Sequence, residues 1–175
     1  MKAIIVVFAM LMVFQVSVSA QRKTDPEKKL KELGIVLKNA PTPVANYLPA
    51  VQTGKIVYLS GQGPLKDDGE LIRGKVGGEI SLEEAQQAAR LTGIRLLEAL
   101  KAQIGDLNKV KRVVKVLGMV NAVPTFEQQP QVINGFSDFM VEVFGENGKH
   151  ARSSVGVGSL PGNIPVEIEM IVELK

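Results

Sequence analysis

The last 25 residues of the chain contain one arginine that could bind an anion. They read "ARSSVGVGSLPGNIPVEIEMIVELK", and Arg152 begins a stretch of the kind that forms a β-strand. On its own face of that strand the following residues are small, namely Ser154, Gly156 and Gly158. Small residues leave space above a sheet, and a guanidinium facing that space can hold a carboxylate with two parallel hydrogen bonds. These residue types predict an anionic small-molecule site, with a purely structural role for Arg152 as the alternative.

Three glutamates alternate with apolar residues in the return stretch of the same segment. The apolar positions are Val166, Ile168, Met170, Val172 and Leu174. Such alternation is typical of a half-buried strand with a charged outer face, which is a sufficient explanation for Glu169 and Glu173. Glu167 is the third member of the series. The two stretches, with a turn near residues 161–164, predict a terminal β-hairpin.

The motifs of familiar nucleotide, metal and hydrolytic sites are incomplete. "GQGPLK" lacks the third glycine of a dinucleotide turn and the Lys-Ser/Thr pair of a P-loop. His150 is the only histidine and cannot form a metal site alone; we interpret it as a loop residue beside the arginine, with ligand contact as the alternative. Its neighbours Ser153 and Ser154 do not complete a catalytic triad, because no elbow motif presents a serine and nothing in the sequence orients the imidazole. We therefore expect no metal site.

The first 20 residues predict export. "MKAIIVVFAMLMVFQVSVSA" has one early lysine, an apolar run too short to span a bilayer, and Val-Ser-Ala at the positions that a signal peptidase reads. We expect cleavage near Ala20 and a periplasmic or secreted protein, with an uncleaved anchor as the alternative. The chain has no cysteine, which excludes disulfides, thiolate metal sites and a lipoprotein anchor.

Charge gives little support for nucleic-acid binding. The net charge is +3, or +2 once Lys2 leaves with the predicted signal, and acidic and basic residues are interspersed. The densest basic run is "KVKRVVK", where alternation with valine favours a solvated strand face. We expect no nucleic-acid partner, and contact with a membrane only through the signal segment before cleavage.

The remainder of the chain predicts an α+β layout. Residues 21–42 form a polar extension, either frayed or a short surface helix, and residues 43–175 form the folded domain. "KIVYLSGQGPL" contains a strand at residues 56–59, "ELIRGKV" predicts a short strand, and "VKRVVKVLGMVNAV" a long one. Together with the hairpin these strands predict a mixed sheet with two helices packed on one face.

Two capping boxes predict the starts of the two helices. Ser81 and Glu84 begin the first helix, and Thr125 and Gln128 begin the second. In the first helix Gly93 is small, like its neighbour Ala89 on the apolar stripe, which predicts close contact between this helix and a sheet.

Several segments together resemble the Rid (YjgF) reactive-intermediate deaminase family. "HARSSVGVGSLPGNIPVEIEMIVELK" is similar to its Arg-Ser, alternating valine, Leu-Pro and alternating glutamate signature. "YLPAVQTGKIVYLSGQGPL", "GDLNKVKRVVKVLGMVN" and "VINGFSDFMVEVFG" follow the family pattern in the same order. The resemblance covers the chain from Pro43 to its end, and it implies a chorismate-mutase-like (YjgF) fold.

The resemblance also implies an activity and the residues that perform it. Members hydrolyse 2-imino acids, such as 2-iminobutanoate and 2-iminopropanoate, to 2-oxo acids and ammonia without a cofactor. By position Arg152 resembles the carboxylate-binding arginine, and Glu167 resembles the acid that places or activates water.

Four further positions resemble substrate-binding residues of the family. Tyr47 matches a tyrosine that closes the pocket, Gly61 a backbone contact after the strand, and Asn134 a pocket-lining asparagine. Ser154 stands where many members have a cysteine whose backbone amide contacts the carboxylate, and a serine keeps that amide.

The expected partners are a small carboxylate or imino-acid substrate and further copies of the chain. On one hairpin Arg152 and Glu167 would lie about 20 Å apart at roughly 3.3 Å per residue, too far for one small ligand. We therefore expect a homotrimer with sites between subunits. Two alternatives remain within the same family: a protein that binds carboxylate metabolites without turnover, and a ribonuclease or holdase-like member.

Overall fold

A computed structural model describes residues 24–39, 45–66 and 68–175 of the chain. The predicted signal segment, residues 1–20, and the predicted domain boundary at Pro43 lie outside these ranges. In the described residues no helix is long and apolar enough to cross a membrane.

The described chain forms one mixed β-sheet of five strands. They are β1 (Ala50–Thr53), β2 (Ile56–Gln62), β3 (Val110–Asn121), β4 (Ala151–Val157) and β5 (Val166–Leu174). The spatial order is β1-β2-β5-β3-β4. β3 and β4 pair in parallel, whereas β5 pairs antiparallel with both β2 and β3, and β1 pairs antiparallel with β2.

Three α-helices accompany the sheet. They are α1 (Pro26–Glu32), α2 (Leu82–Ile104) and α3 (Gln129–Phe144). α2 packs against β1, β2 and β5, α3 packs against β3 and β4, and the two helices pack against each other. This confirms the predicted α+β class, with a mixed sheet and two long helices on one face.

α1 extends the packed structure into the predicted polar extension. Its Leu30 is only 2% exposed, and its Glu27 accepts hydrogen bonds from Lys101 Nζ at 2.6 Å and from the backbone N–H of Leu107 at 3.1 Å. Of the two expected states of this extension, the short helix is the one observed over these residues, and one of its sides is buried.

One of the two predicted capping boxes is present. Ser81 Oγ accepts from the backbone N–H of Glu84, and the Glu84 carboxylate accepts from the backbone N–H of Ser81. The box predicted at Thr125 is wrong, because α3 begins at Gln129 with Gln128 as its N-cap and no side-chain cap bond. A helix begun at Thr125 would place Pro130 in its interior, where the ring lacks an N–H and clashes with the preceding turn.

The short strand predicted in "ELIRGKV" is also wrong. This segment makes only isolated bridges, from Leu71 to Leu65 and from Val76 to Ile80 and Ala122. Gly74 interrupts it with a φ of 128°, and its N–H donates to the carbonyl of Asn163 at 2.8 Å. The segment therefore hydrogen-bonds to the loop that contains Asn163 and does not form a strand of the sheet.

The predicted terminal hairpin is wrong as well. β4 and β5 do not pair with each other, because β3 lies between them; Val116 of β3 faces Arg152 on one side and Met170 on the other. β5 buries alternate apolar residues and has a neighbour on both edges, whereas the apolar-poor β4 forms an edge of the sheet. Residues 158–165 cross the end of β3 to connect the two strands.

The core lies between the sheet and the pair α2 and α3. Its largest fully buried side chains include Leu96, Leu97, Leu100, Phe136, Phe139, Ile168 and Met170. The predicted packing of α2 against the sheet is confirmed, but Gly93 itself faces α3: a Cβ on Gly93 would lie 2.8 Å from Phe139 Cδ1. The small residue serves helix–helix packing instead.

The two faces of the sheet differ in what covers them. We call the face under α2 and α3 the helix-covered face and the other the open face. Within the described ranges the open face exposes Val51, Tyr58 and Val155, at 50%, 48% and 41% of their surface. A depression of about 240 Å³ lies on it, lined in part by Lys115 and Glu169.

Candidate functional site

Arg152 lies on the helix-covered face beside α3. It pairs in register with Val116, which is fully buried on that face. Its Nη1 donates to Asn134 Oδ1 at 2.9 Å and to Ser137 Oγ at 3.0 Å. The structure therefore brings together Arg152 and Asn134, two of the predicted site residues, through a direct hydrogen bond.

The space predicted above the small residues of β4 is occupied by α3. A Cβ on Gly156 would lie 2.9 Å from Gln129 Nε2, so the helix covers this part of the strand. The prediction of empty space above the sheet is wrong at Gly156, whereas the Cβ position of Gly158 has nothing within 4 Å.

Ser154 lies on the same face of β4 as Arg152. It pairs with Gly118, over which Ile133 of α3 is packed, with a virtual Cβ–Cδ1 distance of 2.6 Å. Its Oγ is buried and, among the described residues, is the only buried side-chain polar atom with no hydrogen-bond partner. A buried hydroxyl without a partner is costly, so this atom is poised to accept or donate a bond.

His150 and Ser137 form a second layer beside Arg152. His150 Nδ1 lies 2.7 Å from the carbonyl oxygen of Gly148, and Nε2 lies 3.1 Å from Ser137 Oγ. Burial, and to a lesser extent the charge of Arg152, lowers the pKa of His150 against the opposing hydrogen bond to Gly148. Neither Ser137 nor an orienting partner for His150 was predicted from the sequence. The spacing of Asn134 and Ser137 was the available signal, because residues three apart share one side of a helix.

Glu167 lies on β5, which β3 separates from the β4 strand of Arg152, and it packs against Gly61 of β2. Leu59 pairs with Met170 and Gln62 with Ile168, so β2 has an extra residue here and forms a bulge at Ser60 and Gly61. A Cβ on Gly61 would lie 2.2 Å from Glu167 Oε1. The carboxyl thus occupies the volume that any side chain at position 61 would need.

The environment of Glu167 favours its protonated form. Burial raises the pKa of this carboxyl, and the neighbouring negative charge of Glu169 raises it further. A raised pKa brings a carboxyl closer to the neutral working pH at which a general acid–base group is most effective.

Tyr47 lies at the same end of the sheet as Gly61. Its segment is attached to β2 by Ser60, whose backbone N–H donates to Pro49 O at 3.0 Å and whose Oγ donates to Leu48 O at 2.7 Å. The tyrosine itself is 49% exposed.

The predicted site residues therefore form two groups on opposite faces. Arg152, Asn134 and Ser154 belong to the helix-covered face. Glu167 pairs with Met119, which alternates with the buried Gly118, and so projects from the open face. Arg152 pairs with Val116 of β3 and Glu167 with Met119, three positions further along, and their strands lie on either side of β3. Their backbones are therefore separated by about 10 Å along the strands and about 10 Å across the sheet. One chain does not bring them to one ligand.

A hydrogen-bond network centred on the buried Asn121 holds the loop that leads into Glu167. Lys75 Nζ donates to Asn121 Oδ1 at 2.8 Å and to the carbonyl of Gly158 at 2.6 Å. Asn121 is fully buried, and its Nδ2 donates to Asn163 Oδ1 at 3.0 Å and to Ile164 O at 3.1 Å. No sequence pattern indicates this network, because its members become neighbours only in the folded chain.

A larger cavity lies away from both groups. It has a volume of about 390 Å³ and is lined in part by Ile35, Ile94 and Arg95. Glu98 at its wall is 3% exposed, pairs with Arg95 and accepts the backbone N–H of Lys38 at 2.9 Å. Its walls contain none of the predicted site residues.

The basic run of β3 is partly neutralised. Lys111 Nζ and Arg112 Nε contact the carboxylate of Glu173 at 2.8 and 2.7 Å, and these cations lower the pKa of Glu173. Lys115 Nζ donates to Ser153 Oγ at 2.9 Å. Within the described ranges no three histidine, cysteine, aspartate or glutamate side chains are grouped so that they could hold a metal ion.

Comparison with known proteins identifies the family. The family described as "YjgF/chorismate_mutase-like, putative endoribonuclease" matches residues 27–174. The chain belongs to the YjgF family, as its sequence motifs predicted, and it has the fold of that family.

Relatives within the family carry different names. The chain is 42% identical over 147 residues to Protein TCP17 of Trypanosoma cruzi, covering 83% of this chain and 92% of the relative. It is 36% identical over 138 residues to a 2-iminobutanoate/2-iminopropanoate deaminase of Dermatophagoides farinae, covering 78% and 91%. A crystal structure of a protein of unknown function from Agrobacterium tumefaciens is 43% identical, with a TM-score of 0.78 over 86% of this chain and 94% of the other.

Proposed function

We propose that this protein hydrolyses 2-imino acids to 2-oxo acids and ammonia. The observation that carries the proposal is the hydrogen bonding of Arg152. Within the described ranges Arg152 donates hydrogen bonds only through Nη1, to Asn134 and Ser137, and it forms no ion pair with a carboxylate. Nε and Nη2 are thus left to bind the two oxygens of a substrate carboxylate.

The reaction needs one water and one group that transfers protons. Water attacks the electrophilic carbon of the protonated imine, the C=N π electrons move to nitrogen, and Glu167 takes a proton from the water. Glu167 then returns the proton to the amine of the tetrahedral intermediate. The hydroxyl oxygen forms the C=O bond as the C–N bond breaks, and the electron pair of that bond leaves with ammonia. The hydroxyl proton passes to Glu167 and from there to ammonia, which restores the carboxylate. The water supplies the oxygen of the 2-oxo acid, and the iminium's charge leaves as ammonium.

The raised pKa of Glu167 supports this double role. A group that changes protonation state twice in a cycle works best when its pKa lies near the working pH. Burial and Glu169 move the pKa of Glu167 in that direction. A bound guanidinium nearby would move it back, so the balance depends on how closely Arg152 of another copy approaches.

We propose further that the site forms between copies of the chain in a homotrimer. The support is geometric, because Arg152 and Glu167 project from opposite faces of one sheet. The open face carries Glu167 together with the exposed apolar side chains Val51, Tyr58 and Val155. Apolar patches of this kind are typical of association surfaces, and a second copy is the occupant that would supply the missing arginine.

An imine-trapping assay tests the activity. An amino-acid oxidase generates 2-iminobutanoate from 2-aminobutanoate, and semicarbazide traps the imine that has not been hydrolysed. We expect the protein to lower semicarbazone formation and to speed ammonia release, and Glu167→Gln to lose turnover while keeping affinity for 2-oxobutanoate. If the wild type binds 2-oxobutanoate but leaves both rates unchanged, it is a carboxylate-binding protein rather than an enzyme.

We also propose that residues 1–20 are cleaved and that the protein is exported. The support is the apolar run followed by Val-Ser-Ala. The intact mass of protein from its native host should correspond to a chain that begins at Gln21. A soluble form that retains Met1 to Ala20 would contradict the proposal.

A further inference from the structure

We propose that Ser137 and His150 are positioning residues, which hold the guanidinium of Arg152 in the orientation that binds a carboxylate. The inference rests on the proposed function only in naming the ligand of Arg152. The positioning itself follows from a chain of three hydrogen bonds, from Arg152 to Ser137 to His150 to the backbone at Gly148.

The backbone at Gly148 fixes the tautomer of His150. A carbonyl oxygen only accepts hydrogen bonds, so the 2.7 Å contact between Gly148 O and Nδ1 requires a proton on Nδ1. In a neutral imidazole Nε2 is then an acceptor. The lowered pKa of His150 keeps the ring neutral at pH 7 and above.

The tautomer in turn fixes the hydroxyl of Ser137. Nε2 lies 3.1 Å from Ser137 Oγ and accepts a hydrogen bond from its hydroxyl, which leaves the lone pairs of that oxygen to accept from Arg152 Nη1 at 3.0 Å. With the other tautomer both neighbours would donate to the same oxygen, and the hydroxyl proton would lack this acceptor. The direction of each bond in the chain is therefore determined by the one before it.

Packing holds the histidine in place at the start of this chain. The Phe136 and His150 rings meet edge to face, with centroids 5.9 Å apart. Gly148 is buried against α3, where a Cβ would lie 2.1 Å from Met140 O. Only glycine permits this approach, so the carbonyl that orients His150 is placed by a close contact between the 3₁₀ turn at Gly145–Gly148 and the helix.

The arrangement acts on one edge of the guanidinium. Ser137 and Asn134, three residues apart on α3, both accept from Nη1. Two acceptors on one nitrogen restrict rotation of the planar group and aim its other edge away from the helix. A preorganised arginine loses less side-chain entropy when it binds its ligand, which increases affinity.

Two matched substitutions at His150 distinguish the packing of its ring from the hydrogen bond that its Nε2 accepts. His150→Phe keeps an aromatic ring against Phe136 but removes Nε2. His150→Gln places an amide oxygen near the position of Nε2 and can accept from Ser137. We expect His150→Phe and Ser137→Ala to weaken 2-oxobutanoate binding about three- to tenfold, the loss of one hydrogen bond, and His150→Gln and Ser137→Thr to stay within about twofold of wild type.

The kinetic signature distinguishes positioning from a general structural defect. Because the support acts on carboxylate binding, His150→Phe should raise KM for 2-iminobutanoate by the same factor and leave kcat nearly unchanged. A fall in kcat with unchanged KM, or equal effects of Phe and Gln at position 150, would overturn the inference. Thr92→Val, which removes a buried hydroxyl bonded within α2 to Ala88 O, serves as the stability control.

Nuclear magnetic resonance tests the support without any activity. His150 is the only histidine, so in tag-free protein its two ring nitrogens need no further assignment. We expect a protonated Nδ1 and an unprotonated Nε2 at pH 7.5, and an Arg152 Nε–H signal, assigned with Arg152→Lys, that broadens in Ser137→Ala and His150→Phe. An Nε2–H tautomer, or an Arg152 signal unchanged in both variants, would overturn the positioning role. If wild type neither binds 2-oxobutanoate nor hydrolyses imine, the proposed function is wrong, and these signals alone decide the inference.

Discussion

Arg152 carries a charge that no carboxylate of the described chain neutralises. Its loss should therefore affect ligand binding more than stability. Its partners Asn134 and Ser137 are neutral acceptors, and Asn134 is exposed. A guanidinium held this way contributes little to the core. Its energetic value would therefore appear when a carboxylate binds.

The first prediction concerns this residue. Losing two charged hydrogen bonds to a substrate carboxylate costs roughly 3–6 kcal/mol, so Arg152→Ala should lower kcat/KM at least about a hundredfold. Arg152→Lys should recover little, because an ammonium cannot form the fork. The measurement is imine hydrolysis together with a thermal melt. Wild-type turnover by Arg152→Ala would refute the site, and an unfolded variant would make Arg152 structural.

A second prediction concerns the unpartnered hydroxyl of Ser154. Because its buried Oγ lacks a partner within the described residues, Ser154→Ala should leave the free energy of unfolding unchanged or raise it by up to about 1 kcal/mol. If a ligand supplies the missing bond, the same variant should bind 2-oxobutanoate more weakly. Urea melts and a binding titration give the two quantities. A loss of more than about 1 kcal/mol in stability would show that the hydroxyl already has a partner.

At this scale the sequence predicted the types of the site residues better than their neighbours. Arg152 and Asn134 do meet, and Glu167 does lie against Gly61. Ser137 was missed because its only signal is its place three residues after Asn134 on one side of a helix, and that spacing alone does not indicate a function. The orientation of His150 could not be predicted, because its partner is the backbone carbonyl of Gly148, which no side-chain pattern reveals.

At the scale of elements, a bulge in β2 gives Glu167 its place. The extra residue opposite Glu169 breaks the pairing of β2 with β5 and places Gly61 against the carboxyl. Bulges next to functional sites commonly redirect one side chain in this way.

The third prediction tests this contact. A methyl group in Gly61→Ala would meet the carboxyl oxygen of Glu167 at 2.2 Å and must displace it. Because the carboxyl ends a flexible side chain, stability should change little, while kcat for imine hydrolysis should fall at least about tenfold through loss of alignment. Gly158→Ala is the matched control, since nothing lies within 4 Å of its Cβ position. Equal turnover in both variants would exclude an aligned role for Glu167.

Local sequence signals predicted features that depend on a single segment, and they failed where the position of a third strand determined which strands pair. The Ser81 capping box and the apolar stripe of α2 are properties of one segment, and both predictions hold. The hairpin failed because two strands close in sequence usually pair, whereas here α3 returns the chain beside β3, which has β5 on its other edge. Sequence proximity could not show that β3 would lie between them.

At the scale of the molecule, the two faces of one sheet carry complementary halves of one proposed site. The premise of a 20 Å hairpin was wrong, yet the separation of Arg152 from Glu167 remains, now because they project from opposite faces. A protein built this way would need association for activity. Dilution below the dissociation constant of the assembly should then abolish turnover without unfolding each chain's core.

The last prediction tests association by mixing two inactive variants. In a trimer, each site would combine Arg152 of one copy with Glu167 of the next. Equal amounts of Arg152→Ala and Glu167→Gln, assembled at random, leave about a quarter of the sites with both native residues. We therefore expect co-expression of the two variants to restore about a quarter of the wild-type rate, although each alone is inactive.

The control is Arg152→Ala mixed with the double variant, in which every site lacks the arginine and no activity should return. Native mass spectrometry verifies that mixed assemblies form. Mixed trimers that stay inactive would mean that Arg152 and Glu167 do not act on the same ligand. A wild-type monomer at micromolar concentration that remains fully active would mean that one chain suffices, and the assignment of Glu167 to the site of Arg152 would be wrong.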